Sequence, residues 1–159
     1  MTRNKIYITA DLHLGHKKLQ EIRKISDQDI IDRWNSVVTN DDVVYVLGDV
    51  FKTDRVKELK GIKKLALGNH DQRPVTHYLQ YFSKVHSMFD YNDCLLTHIP
   101  VHESQSRRWQ LNIHGHTHYN VINNLWYVCV SMEHTDFTPV LLNELINNSL
   151  KRCASSVNI

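Results

Sequence analysis

Only three cysteines, Cys94, Cys129 and Cys153, occur in the 159 residues. Odd in number and far apart in sequence, they exclude a disulfide framework and a CxxC metal or redox motif, and reduced, mostly buried thiols are expected. No apolar run approaches the roughly 18–20 residues needed to span a bilayer. The opening Met1-Thr2-Arg3-Asn4-Lys5 leads into Ile6-Tyr7-Ile8, too short an apolar stretch for a secretory signal. A soluble, cytoplasmic protein with no membrane partner is therefore expected. An excess of one charge is also lacking, since 19 Lys plus Arg face 17 Asp plus Glu for a formal charge of +2. That balance carries no footprint of a dedicated nucleic-acid binder, although a nucleic acid stays open as a substrate. Internal repeats, low-complexity stretches and linkers are missing too. One domain over residues 1–159 is expected, with 151–159 a polar, frayed tail.

What is present suffices for a core. A compact domain of this size buries roughly 68–70% of its unfolded surface, and 42% hydrophobic against 23% charged residues can fill that interior. Disorder is excluded as the main state. The conspicuous excess is histidine, of which there are 11. His13, His16, His70, His98, His114, His116 and His118 cluster in short stretches that follow expected strands.

Lys5-Ile6-Tyr7-Ile8-Thr9 alternates and is rich in β-branched and aromatic residues, so it reads as a strand that breaks at Ala10-Asp11-Leu12-His13. Helical spacing follows over 17–24 and 27–39, with Ile30, Ile31, Trp34, Val37 and Val38 on one face and Asp27 as the N-cap. Val43-Val44-Tyr45-Val46-Leu47 is apolar throughout, the mark of a strand covered on both faces, and ends at Gly48-Asp49. A helix over 53–60 and a strand over 63–67 repeat the pattern, ending at Gly68-Asn69-His70-Asp71. The second half predicts strands at 84–90, 93–97, 111–114, 125–131 and 137–140, then a helix at 141–149. The polar loop between His98 and Leu111 is too long for a hairpin turn, and such loops are often functional.

In a sheet of parallel character, strand C-termini converge on one rim where ligands bind. Asp11, His13, Asp49, Asn69, His70, His98, His116 and His118 would meet there. Singly, each is explained as a cap, a turn residue or a hydrogen-bonded surface group. Crowded together they would leave unpaired charge and unsatisfied polar atoms, which divalent cations neutralise. A dinuclear metal centre is the economical reading.

Asp11-Leu12-His13, Gly48-Asp49, Gly68-Asn69-His70-Asp71, His98 and Gly115-His116-Thr117-His118 resemble, in order and spacing, the five motifs of the calcineurin-like metallophosphoesterases. With Arg33-Trp34-Asn35-Ser36-Val37-Val38 ahead of the second motif, the chain looks like a small bacterial and phage branch of that superfamily. The resemblance implies an α/β fold, a four-layer αββα sandwich of two mixed sheets flanked by helices, with metals at strand C-terminal ends. It further implies that Asp11, His13, Asp49 and His118 hold one ion, that Asp49, Asn69, His98 and His116 hold the other, and that Asp49 bridges. His70 would act as general acid and Asp71 would orient its imidazole or raise its pKa. The implied reaction is hydrolysis of a phosphodiester or phosphomonoester, of a nucleotide in first place, by direct attack of a metal-bridging hydroxide. Mixed nitrogen and oxygen ligands without thiolate suit manganese first, then iron, zinc or nickel.

His16 reads equally as a phosphate contact or a turn residue. Arg73, Arg107 and Arg108 read equally as a phosphate grip or a solvated charged surface. His114 is expected to support the site without ligating. Trp109 and Tyr119 either stack on a base or fill the core, and Trp34 and Trp126 are expected in the core. Two other functions remain: a non-catalytic metal-bearing scaffold that binds proteins, and a nuclease, for which only Lys17, Lys18, Arg73, Arg107 and Arg108 offer a basic track. The sequence leaves monomer and homodimer open.

Overall fold

Side-chain alternation builds the first sheet. In β2 (Val43–Leu47), Val44 and Val46 point to one face and Tyr45 and Leu47 to the other, and all four are buried. A computed structural model describes residues 4–52 and 54–156. Beside β2 run β1 (Ile6–Thr9) and β3 (Ile62–Ala66), then β4 (Lys84–His86) at one edge and β9 (Val140–Leu141) at the other. β1 to β4 are parallel neighbours and β9 is antiparallel to β1. A second sheet holds β5 (Met88–Tyr91), β6 (Cys94–Thr97), β7 (Leu111–His114) and β8 (Tyr127–Cys129) in that order. There β5 is antiparallel to β6, and β6, β7 and β8 are parallel.

The second helix packs on one face of the larger sheet. Between α1 (Lys17–Arg23) and α2 (Asp27–Val37), Ser26 rather than Asp27 caps α2: its Oγ accepts from Asp29 N at 3.1 Å, and the Asp29 carboxylate accepts from Ser26 N at 3.0 Å. Asp27 is freed to tie α2 to the loop after β1, accepting from Gly15 N at 2.9 Å and Gln20 Nε2 at 2.6 Å. Ile30, Ile31 and Trp34 of α2 pack on Tyr7, Val44, Val46 and Leu65. The other face of that sheet packs Ile8, Tyr45 and Leu47 against Leu96, Leu111, Ile113 and Val128 of the second sheet, joined by Leu142 and Ile146 of α4 (Leu142–Ser156). The class is α/β, with two mixed sheets flanked by helices. The outer face of the smaller sheet is covered by the loop 98–110. There buried Asn112 accepts from Val101 N at 2.9 Å, and Tyr127 Oη donates to Val101 O at 2.8 Å.

Several boundaries differ from the sequence reading. The stretch 84–90 is two strands in different sheets, parted at Ser87. The segment 53–60 forms a 3-10 turn, Asp54–Glu58, with Thr53 outside the described residues. A four-residue helix, α3 (Val75–Tyr78), was not expected. Residues 151–156, expected frayed, continue α4, because Ile146 and Ser149 keep its inner face buried; 157–159 lie outside the described residues. All three thiols are free, with Cys94 buried and the others half-buried. Among the described residues, no helix is long and apolar enough to cross a membrane.

Candidate metal centre

The loops that leave β1, β2 and β7 share an unusual backbone. Left-handed φ recurs at alternate residues: Asp11 at 60° and His13 at 46°, Asp49 at 57° and Phe51 at 68°, His116 at 68° and His118 at 49°. Each such residue carrying a Cβ costs about 1–3 kcal/mol, so the surrounding structure must over-determine it. Here the first two loops lock together: Asp11 N donates to Gly48 O at 3.1 Å, His13 N to Asp49 O at 2.9 Å and Leu14 N to Val50 O at 3.1 Å. Glycine supplies the room. A Cβ on Gly115 would sit 2.6 Å from Asp11 Oδ2, and one on Gly68 would overlap the Asp49 carboxylate.

Two groups of side chains result. Ligand atoms of Asp11, His13 and His118 all lie within 4.8 Å of one another, as do those of Asp49, His98 and His116. Asp49 stands between the groups, with Oδ2 3.5 Å from His13 Nε2 and Oδ1 3.4 Å from His98 Nε2. Asn69 Oδ1 completes the second group at 2.9 Å from His98 Nε2. Every expected ligand is thus at the rim.

The donor set suits cations. His98 Nδ1 lies 2.8 Å from Leu47 O, which can only accept, so that nitrogen carries the proton. Its Nε2 is then the nitrogen turned toward the oxygens of Asn69, at 2.9 Å, and Asp49, at 3.4 Å, the position a metal ligand needs. His118 repeats this, with Nδ1 donating to Glu133 Oε1 at 2.7 Å and Nε2 4.0 Å from Asp11 Oδ1. Both ring nitrogens of buried His13 lack any hydrogen-bond partner. Burial, with the Arg23 charge next, pushes the His13 pKa down to about 3, and burial pushes the Asp11 carboxyl up. The neutral His13 ring beside an Asp11 carboxyl that resists ionising is an arrangement that a divalent cation would stabilise, whereas the Glu133 hydrogen bond pushes the His118 pKa up.

Three supporting residues escaped the sequence reading. Glu133 takes His118 on one side and Arg23 NH2 at 2.7 Å on the other. Burial alone would push the Glu133 carboxyl up; the His118 hydrogen bond and the Arg23 charge outweigh it and bring the pKa to about 2. Arg23 NH2 also donates to Asp11 O at 2.9 Å. Ser131 Oγ donates to Asp11 Oδ2 at 2.7 Å. Ser131 and Glu133 follow β8, a further strand end on the same rim, and that position was their one sequence signal. Arg23, one of several cations along 17–24, gave none.

The remaining candidates divide. His70 stands at the mouth, its side chain about half exposed at 52% and its Nε2 4.0 Å from Asp49 Oδ2. Asp71, expected to serve the His70 ring, instead accepts from Asp49 N at 2.8 Å, Val50 N at 2.9 Å and Gly68 N at 2.9 Å. It positions the loops after β2 and β3, because three backbone donors occupy its oxygens. His16 is the N-cap of α1, accepting from Leu19 N at 3.3 Å. His114 is buried, its Nδ1 2.8 Å from Gly115 O. Arg73 shares a cavity wall with His70. Arg107 and Arg108 are carried away from the rim. β6 and β7 are parallel, so the loop from His98 must descend to the opposite end of the sheet, where Gln110 N bonds Asp93 O at 2.8 Å and Arg108 stacks on Trp109. Trp34, Trp109 and Trp126 are buried, whereas Tyr119 is exposed.

No family model matches the chain. The Gene 66 protein of Mycobacterium phage L5 is 32% identical, in an alignment covering 73% of this chain and 78% of that protein. The chain belongs to the Gene 66 protein family. Mycobacterium phage D29 carries another Gene 66 protein, 28% identical over 76% of the chain and 82% of its own length. An uncharacterized protein of Methanocaldococcus jannaschii is 27% identical over 92% of both chains. A crystal structure of a protein of unknown function from Aquifex aeolicus superposes with a TM-score of 0.72, covering 91% of this Gene 66 relative and 99% of that chain. At 20% identity that likeness shows the fold alone.

Proposed function

We propose that the chain is a divalent-metal-dependent phosphoesterase of calcineurin-like type, with two ions per chain. The observation that carries this reading is Asp49, a buried carboxylate whose two oxygens each face a different imidazole at 3.4–3.5 Å. Asp11, His13, Asp49 and His118 would hold one ion, and Asp49, Asn69, His98 and His116 the other, with manganese first by the chemistry of the donor set. Bound there, a pair of divalent cations supplies Lewis acidity toward phosphoryl oxygens and a more acidic water. The two stacked sheets would be the inner layers of the αββα sandwich of that superfamily, with the loop 98–110 standing where a second outer helix layer would lie.

The chain's own residues do the rest. His70, the imidazole open to solvent at the mouth, reaches the phosphate or its leaving oxygen and delivers a proton there. Glu133 fixes the His118 tautomer, and Arg23 holds Glu133 ionised. Asp71 clamps the turns that carry Asp49 and His70. A phosphodiester of a nucleotide is favoured over nucleic acid, because moving Arg107 and Arg108 away from the rim takes two of the five cations from the basic track and breaks its continuity. Reduced thiols accord with a cytoplasmic setting.

The test is manganese-dependent hydrolysis of bis-p-nitrophenyl phosphate and p-nitrophenyl phosphate by wild type, Asp49→Asn and His70→Ala, with metal content assayed in each. Diester turnover lost in both variants, with metal retained in His70→Ala, is expected. No turnover of either ester, or of natural nucleotide esters, by fully metallated wild type would refute the reading.

A further inference from the structure

A cavity of about 480 Å3 opens beside His70, lined by Phe51, Lys52, His70, Gln72, Arg73 and Tyr78. Phe51 is doubly unfavourable where it stands. Its backbone is left-handed at φ 68°, and the residue is 41% exposed. A bulky residue in that conformation is an outlier, and such strain gathers at functional positions. The segment is nevertheless held firmly: Leu14 and Phe51 form a backbone bridge, and Lys52 N donates to Leu14 O at 3.1 Å. The ring packs on one side against His16, centroids 5.0 Å apart. The result is an apolar platform next to the candidate metal centre.

Cations share the cavity. The Lys52 stem lies against Gly15, and the Arg73 backbone N donates to the Tyr78 hydroxyl at 3.2 Å. Among the described residues, neither Lys52 nor Arg73 is paired with a carboxylate. A flat apolar wall, two unpaired cations and the Gln72 amide around a space of this volume match a ligand that is part aromatic ring and part phosphate.

We propose that this cavity recognises the nucleoside-phosphate part of the ester, with its base against Phe51 and its non-scissile phosphate between Lys52 and Arg73. The preferred substrates are then nucleoside-diphosphate-type esters rather than simple phosphodiesters. The proposal rests on the phosphoesterase reading only for the position of the scissile bond.

Binding to the manganese-loaded full chain tests it, measured by calorimetry with α,β-methylene-ADP, adenosine and methylenediphosphonate. α,β-Methylene-ADP is expected to bind about tenfold or more tightly than methylenediphosphonate, the scale of one base stacked on an aromatic ring. Phe51→Ala should abolish that difference and Phe51→Tyr preserve it, with thermal melts confirming that each variant folds. The Lys52→Met/Arg73→Met variant should weaken α,β-methylene-ADP and flatten its salt dependence. Equal binding of the two diphosphonates by wild type, or discrimination unchanged in Phe51→Ala, would overturn the proposal. Wild type that hydrolyses bis-p-nitrophenyl phosphate without discriminating overturns this proposal alone. Discrimination without turnover of any ester supports the cavity and overturns the phosphoesterase reading instead.

Discussion

Replacing Glu133 by glutamine would leave Arg23 buried beside a neutral partner and take from His118 the charged acceptor that fixes its tautomer. Outer partners of this kind are worth about 10–100-fold in metal affinity. Glu133→Gln is therefore expected to weaken manganese binding on that scale, read by calorimetric titration, while Asp49→Asn removes binding more completely. Gly68→Ala should act through space alone. Its new methyl group would overlap the Asp49 carboxylate, so both metal binding and the thermal midpoint should fall, whereas a glycine free of such contact would tolerate alanine. At this scale the convergence of the candidate ligands was legible in the sequence because several short motifs each end a strand. Glu133, Arg23 and Ser131 were not, since each acts through another residue and none belongs to a pattern. Asp71 was misjudged for a related reason: its place beside His70 suggested a partner for the ring, while the turn delivers its oxygens to backbone amides.

The elements that carry the site are tied at their far ends by Asp42, just before β2. Its carboxylate accepts from Lys5 N, Thr39 N and Thr39 Oγ1, each at 2.8 Å, so the start of β1 and the end of α2 meet on one side chain. Burial alone would push the Asp42 carboxyl up; the hydrogen bonds from Thr39 and Lys5 outweigh it and hold it below the usual range. A carboxylate so depressed stabilises the fold fully above its unfolded pKa, about 3.9, and loses that contribution as pH falls through the folded value. Asp42→Asn should thus unfold at lower denaturant than wild type at pH 7, and the gap should narrow below pH of about 4. A gap independent of pH would contradict this. Periodicity located β2 and β7 to the residue, because β7 is buried over its whole length and β2 over all but its first residue. It ran β4 and β5 together, because a strand that changes sheet at Ser87 keeps its extended conformation and leaves no turn signal. α4 was cut short because its later turns are polar in sequence, and only packing shows that Ser149 and its neighbours face the core.

For the whole molecule, stacking the two sheets brings the ends of β1, β2 and β3 onto the same rim as those of β6, β7 and β8. Parallel ladders in both sheets make that convergence unavoidable, and an alternating sequence with polar residues after each strand is enough to foresee it. The same geometry forbids what the sequence left open for Arg107 and Arg108, since a connection between parallel strands must return to the opposite end. The account turns on Asp49 lying between two cations, and electron paramagnetic resonance of the manganese-titrated protein tests this most directly. The expected result is two manganese ions per chain with a spin-coupled, multiline spectrum that disappears in Asp49→Asn. A single uncoupled six-line signal, or no stoichiometric manganese in folded wild type, would contradict it.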